Sequence, residues 1–195
     1  MREANLIEKV RKIQEQMNPQ VVRPQRFLRD VMTASPQVLF VGINPSLRSA
    51  EVGHHFASPG NPFWKLLYAA GLTPTPLAWG DDHRLVEFGM ALTNLCRRAS
   101  REASELSAVE MEAGKRTLLR KIRRVQPRFV AFVGISIYRQ LYPASVSKGP
   151  GLKDEILFGA RVFVLPNPSG RNAAFPGFED KLVWFRQLKK SLQAE

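Results

Sequence analysis

Four short apolar runs constrain this chain more than any other feature: Val38-Leu39-Phe40-Val41, Met90-Ala91-Leu92-Thr93, residues 129–133 (FVAFV) and residues 161–165 (RVFVL). Each is rich in β-forming residues, and each is too short to be a helix. A strand that is apolar on both faces is covered on both faces, the mark of a parallel sheet wrapped by helices. The intervening segments carry helical spacing instead. This alternation predicts an α/β fold, a three-layer α/β/α sandwich around a central, mainly parallel four-stranded sheet.

The helical segments follow from their apolar stripes. Leu6, Val10, Ile13 and Met17 predict an amphipathic helix over residues 3–17, within an N-terminal helical extension spanning 1–35. A short helix is expected at 27–32. Asn61-Pro62 supplies a cap and a first-turn proline for a helix over 63–70 that closes at Gly71. A helical turn is expected at 83–88, a long basic helix at 107–125 and a terminal helix from Phe178 to Leu192. With no repeat or linker between them, residues 1–195 read as one domain.

Charge narrows the partner. The chain has 29 Lys and Arg against 17 Asp and Glu, a formal net charge of +12, which favours encounter with a polyanion, either the phosphate backbone of a nucleic acid or an anionic membrane, and charge alone does not choose between them. Its single cysteine, Cys96, excludes an intrachain disulfide and Cys-rich metal sites, and fits a reducing, cytoplasmic setting close to the nucleoid. The first residues, MREANLIEKVRKIQ, lack the apolar stretch of a secretion signal, and no run approaches the length of a membrane span. A monomer with no membrane partner is the expectation.

In a sheet of this kind, ligands sit beyond the carboxyl ends of the strands. Three turns there are chemically rich: Asn44-Pro45-Ser46, Asn94 with Arg97-Arg98, and Asn167-Pro168-Ser169-Gly170-Arg171. They are expected to meet in one crevice, with Arg97, Arg98, Arg101 and Arg171 at its mouth. No G-x-S-x-G elbow, Walker loop or G-x-G-x-x-G is present. His54 and His55 are adjacent, so their side chains diverge, and no metal or cofactor is expected. Asp81 and Asp82 read as a solvated acidic turn. What remains is a site of amides, hydroxyls, aromatics and arginines. An asparagine cannot take a proton at neutral pH but can orient a water. That suffices where the leaving group departs largely by itself, as in cleavage of a glycosidic bond through a cationic sugar.

The motifs GINPS (42–46), GHHF (53–56), GNPFWKLL (60–67), LTNL (92–95) and LPNPSGRNAAFP (165–176), in this order, closely resemble the mismatch-specific uracil-DNA and thymine-DNA glycosylase family. The resemblance runs from about Val38 to Phe185. It implies a DNA glycosylase that flips uracil, or thymine or another modified pyrimidine, out of a G:U or G:T mismatch and hydrolyses its bond to the sugar. By the same resemblance, Asn44 positions the attacking water, Phe56 stacks on the base, and the backbones of Ile43 and Phe56 meet its edge. Ser49, His55 and Asn94 fall on pocket positions. Asn167, Pro168, Ser169, Gly170 and Arg171 match the loop that enters the duplex, with Ser169 on a phosphate and Arg171 as the wedge. Familiar members often carry glycine where Ser46 stands, so a hydroxyl is expected near the water's path. The rival readings are a glycosylase for hypoxanthine or single-stranded uracil, and a non-catalytic binder of mismatches or abasic sites.

Overall fold

The computed structural model describes residues 27–145, 149–170 and 172–194. The expected helix over 3–17 lies outside these residues. The described elements run β1 (Val38–Gly42), α1 (Leu47–Val52), α2 (Phe63–Ala69), a 3₁₀ helix (Trp79–Phe88), β2 (Met90–Asn94), a 3₁₀ turn (Ala103–Glu105), α3 (Ala108–Val125), β3 (Phe129–Val133), α4 (Ile135–Leu141), β4 (Gly151–Leu157), β5 (Ala160–Leu165) and α5 (Phe178–Gln193).

The sheet has five strands in the order β2-β1-β3-β5-β4, parallel except for β4, which pairs antiparallel with β5. The four apolar runs are its parallel strands. Side chains alternate between the faces, so every second residue enters a different core. Val38, Phe40, Ala131, Phe163 and Leu165 pack with α2 and α5 through Phe63, Leu66, Leu67, Leu182 and Phe185. Leu39, Val41, Val130, Phe132, Val162 and Val164 meet α3 and α4 through Leu118, Ile122, Ile137 and Tyr138.

The α/β sandwich stands as expected, with a fifth strand added. Strand β4, GLKDEIL, is charged and its burial alternates, as suits an edge strand. It joins β5 through Phe158 and Gly159, both at positive φ (52° and 86°), a mirror-image two-residue turn without the usual Asn-Gly signal. Helix α1 is also additional. Ser46 caps its start, accepting from Ser49 N at 3.1 Å, and Gly53 in the left-handed region ends it. The short helix expected over 27–32 does not form. That segment has no regular structure apart from a bridge at Val31, which exchanges backbone hydrogen bonds with Leu92 at 3.0 and 2.7 Å along the edge of β2.

Strand order places the site. The chain passes from β1 to β2 on one side, and β3 then lies on the other, so β1 marks the point where the order reverses and a crevice opens beyond its carboxyl end.

Candidate active site

Asn44 stands directly beyond β1, and its amide orientation is forced by its partners. The Nδ2 group donates to Arg98 O at 3.0 Å and to Ser100 Oγ at 2.8 Å, with a longer contact to Pro45 O at 3.2 Å. A carbonyl only accepts. Ser100 Oγ spends its hydrogen on Glu102 O at 2.6 Å, so toward Asn44 it also accepts. The nitrogen must therefore face this loop, and the acceptor Oδ1 is the atom left for a ligand. The loop itself is held. Leu95 N and Cys96 N donate to Gly42 O and Ile43 O at 2.8 Å each, and Ser100 N to Pro45 O at 3.2 Å.

Asn44 lines a cleft of about 120 Å³ together with Gly42, Ile43, Ser49, His55, Phe56, Asn94, Val133 and Asn167. The ends of β1, β2, β3 and β5 all reach it. Its size suits one ring rather than an extended ligand. Asn94 reaches in across β1: a methyl group at Gly42 would sit 2.4 Å from Asn94 Oδ1, so only glycine lets that side chain cross.

Phe56 forms one wall. Its ring stacks on Phe63 at 3.9 Å between centroids and 21° between planes, which covers one face and backs it with core. Its backbone lies in the left-handed region, φ 52°, a conformation that costs a non-glycine residue roughly 1–3 kcal/mol and persists only when its neighbours over-determine it. They do. Ahead of it, His55 N donates to Asp82 Oδ2 at 2.8 Å and His55 O accepts from Trp64 Nε1 at 3.2 Å. Behind it, Ala57 N donates to Ser49 Oγ at 3.1 Å.

Asp82 is not the solvated turn residue expected from its sequence. It is buried at 5% exposure, and its second oxygen takes His54 Nδ1 at 2.9 Å. Burial followed from tertiary packing: the 3₁₀ helix brings Asp82 under the GHHF segment, where two donors need an acceptor. Three serine hydroxyls are likewise committed to one another. Ser46 Oγ, besides capping α1, lies 3.1 Å from Ser49 Oγ and accepts from Ser58 Oγ at 2.9 Å. The hydroxyl expected near the water's path thus ties α1 to the loop behind Phe56.

His55 is 2% exposed, and its Nε2 lies 3.0 Å from Arg29 O. A carbonyl partner requires Nε2–H, so neutral His55 carries an acceptor at Nδ1. Burial drives its pKa below the usual 6.5; the Arg29 bond and the charges of Asp82 and Asp30 pull it up, and Lys121 opposes them. The unfolded chain therefore binds this proton more readily than the folded one. Stability from this group is complete above about pH 6.5 and is lost as pH falls through the lower folded value. Expected result: the thermal midpoint falls between about pH 7 and 5, less steeply in His55→Gln, which keeps a donor for Arg29 O. Equal slopes would show that His55 is not the linked group.

The rim differs from expectation at Arg98. Its guanidinium turns back to the start of α3, pairing with Glu110 (Nη2 to Oε2, 3.1 Å) and donating to Glu105 O at 2.6 Å. Arg98, then the Ser107 backbone and hydroxyl, hold the Glu110 carboxyl down at about 2. Arg98 serves the crevice through its carbonyl, not its charge. Arg97 stands over the Phe27 ring at 4.7 Å, and Arg101 is exposed. In the last loop Asn167 Oδ1 accepts from Ser169 N at 2.9 Å and Asn167 O from Asn172 Nδ2 at 3.0 Å, a self-bonded turn with Pro168 buried and Gly170 exposed. Arg171 lies outside the described residues.

A family model described as the Uracil DNA glycosylase superfamily matches residues 30–190. The chain belongs to that superfamily. The uracil DNA glycosylase superfamily member described here also shares its fold with a solution NMR structure from Methanosarcina acetivorans, named as a candidate uracil DNA glycosylase. The TM-score is 0.57 at 22% identity, over 85% of this chain and 98% of that one. In this superfamily member the crevice unites Ile43, Asn44, Ser49, His55, Phe56, Asn94 and Asn167 as lining residues. Asp82, Ser100 and Leu28 carried no sequence signal, because each acts across a long span of chain. Among the described residues no helix is long and apolar enough to cross a membrane.

Proposed function

We propose that this superfamily member is a monofunctional DNA glycosylase. It removes uracil, with thymine and other modified pyrimidines as further candidates, from opposite guanine in duplex DNA. The observation that carries this reading is the locked Asn44 amide, its acceptor oxygen at a ring-sized cleft walled by a core-backed phenylalanine.

A base within a duplex is out of reach and must be extruded, at a cost of roughly a few kcal/mol that is lowest at a mismatch. The net charge of +12 and the loop at Asn167 to Arg171 offset that cost by holding the backbone and filling the gap. Once the base stacks on Phe56, with Asn94 and His55 at its edge, the C1′–N bond breaks and its electron pair leaves with the base. Asn44 Oδ1 accepts a hydrogen bond from a water, whose oxygen bonds C1′ while its proton passes to solvent. The products are a free base and an abasic site. The reaction calls for no cofactor, and the protein acts as a monomer on DNA inside the cell.

The test is single-turnover release from duplexes carrying U:G, T:G, U:A and hypoxanthine, and from single-stranded uracil. Fastest release from U:G is expected. Tight binding of the U:G duplex without release of any base would leave a mismatch binder in place of an enzyme.

A further inference from the structure

Residues 27–31 run beside the crevice as a strap, and most of it precedes the stretch that the family model matches. It is fastened along its length. The Phe27 ring lies under Arg97, Arg29 O accepts from His55, and Val31 pairs with Leu92. Asp30 is held twice: Oδ2 by Lys121 Nζ at 2.6 Å, and Oδ1 by Thr93 Oγ1 at 2.7 Å, while Lys121 also donates to Thr93 Oγ1 at 2.8 Å. Lys121 comes from α3 and Thr93 from β2, so the strap is tied to elements distant in sequence. Between these fasteners sits Leu28, whose side of the strap lines the same cleft as Asn44 and Phe56.

We propose that this strap is a specificity element of the base pocket: Leu28 limits the size of the pyrimidine admitted, and the Asp30–Lys121–Thr93 network positions it. The inference rests on the cleft's being the base site proposed above. In a cavity of about 120 Å³ there is little slack, so one apolar side chain at the wall weighs heavily. A single methylene at such a wall changes discrimination by about tenfold or more. An ion pair that merely anchored this segment would alter stability and leave selectivity alone.

The experiment compares the full chain with its variants in single-turnover release of uracil, thymine and 5-bromouracil opposite guanine. Each rate is taken relative to wild type on the same base, which cancels the electronic effect of the 5-substituent. Leu28→Ala and the milder Leu28→Val are expected to raise release of the two larger bases relative to uracil, by about tenfold for alanine. Leu28→Phe should lower all three. Asp30→Ala should shift the ratio in the direction of Leu28→Ala, and Asp30→Glu should restore it. Ratios unmoved in both Leu28→Ala and Leu28→Val, with wild type active, would overturn the inference alone. An equal slowing of all bases in Asp30→Ala would overturn the positioning role of the network. No release by wild type from any duplex would overturn both the inference and the glycosylase reading beneath it.

Discussion

Asn44→Ala is expected to slow single-turnover uracil release by roughly 100- to 1,000-fold, the range lost when one preorganised hydrogen-bonding group is removed from a site. Affinity for a U:G duplex should stay within about threefold of wild type, because in the proposed reaction the lost hydrogen bond goes to the attacking water and not to the DNA backbone. Asn44→Asp sharpens the test. A carboxylate is the stronger acceptor, yet it cannot donate to Arg98 O, which lies 3.0 Å from the amide nitrogen, so two oxygens with lone pairs would face each other. The side chain should swing away, and aspartate should fail to restore the wild-type rate. If alanine weakened binding and release in equal measure, Asn44 would belong to DNA recognition. If aspartate restored full activity, the lock would be immaterial.

Gly42→Ala is the second large effect, although this residue has no side chain to offer a substrate. The added methyl group would lie 2.4 Å from Asn94 Oδ1, the end of a side chain that can yield, so the fold should tolerate the change with a small shift in thermal midpoint. Asn94 would give way instead. A displacement of about an ångström in a positioning group can cost about 100-fold in rate, and that loss in uracil release is expected here. The check is non-additivity. In an Asn94→Ala background, Gly42→Ala should cost little more, since the clashing atoms are already gone. Additive losses would mean that the methyl acts elsewhere, the nearest other neighbour being the Phe56 ring at 3.7 Å.

The elements legible in the sequence are those that carry their own periodicity. The four parallel strands are apolar on both faces, and α3 and α5 keep an apolar stripe over several turns, so local pattern and burial agree. Strand β4 and helix α1 escaped for a common reason. Each mixes charged and apolar residues without a sustained stripe, and each is stabilised by a neighbour or a cap: β4 by its ladder to β5, α1 by Ser46 and Gly53.

The crevice divides along the same line. The asparagines at the carboxyl ends of β1, β2 and β5 could be placed at one edge from sequence, because parallel strands must all end on the same side of the sheet. Their state could not. The direction of the Asn44 amide depends on Arg98 and Ser100, more than fifty residues away. The burial of Asp82, the tautomer of His55 and the turning of Arg98 toward Glu110 are likewise set by partners that no local pattern announces. The sequence alone determined the kind of sheet, the edge on which the asparagines gather and the residue types available there, since these follow from periodicity and strand polarity. Only the tertiary structure decided which donors meet which acceptors, and hence that Asn44 keeps an acceptor oxygen without a donor among the described residues, because buried polar groups must be satisfied by whatever packing brings within reach.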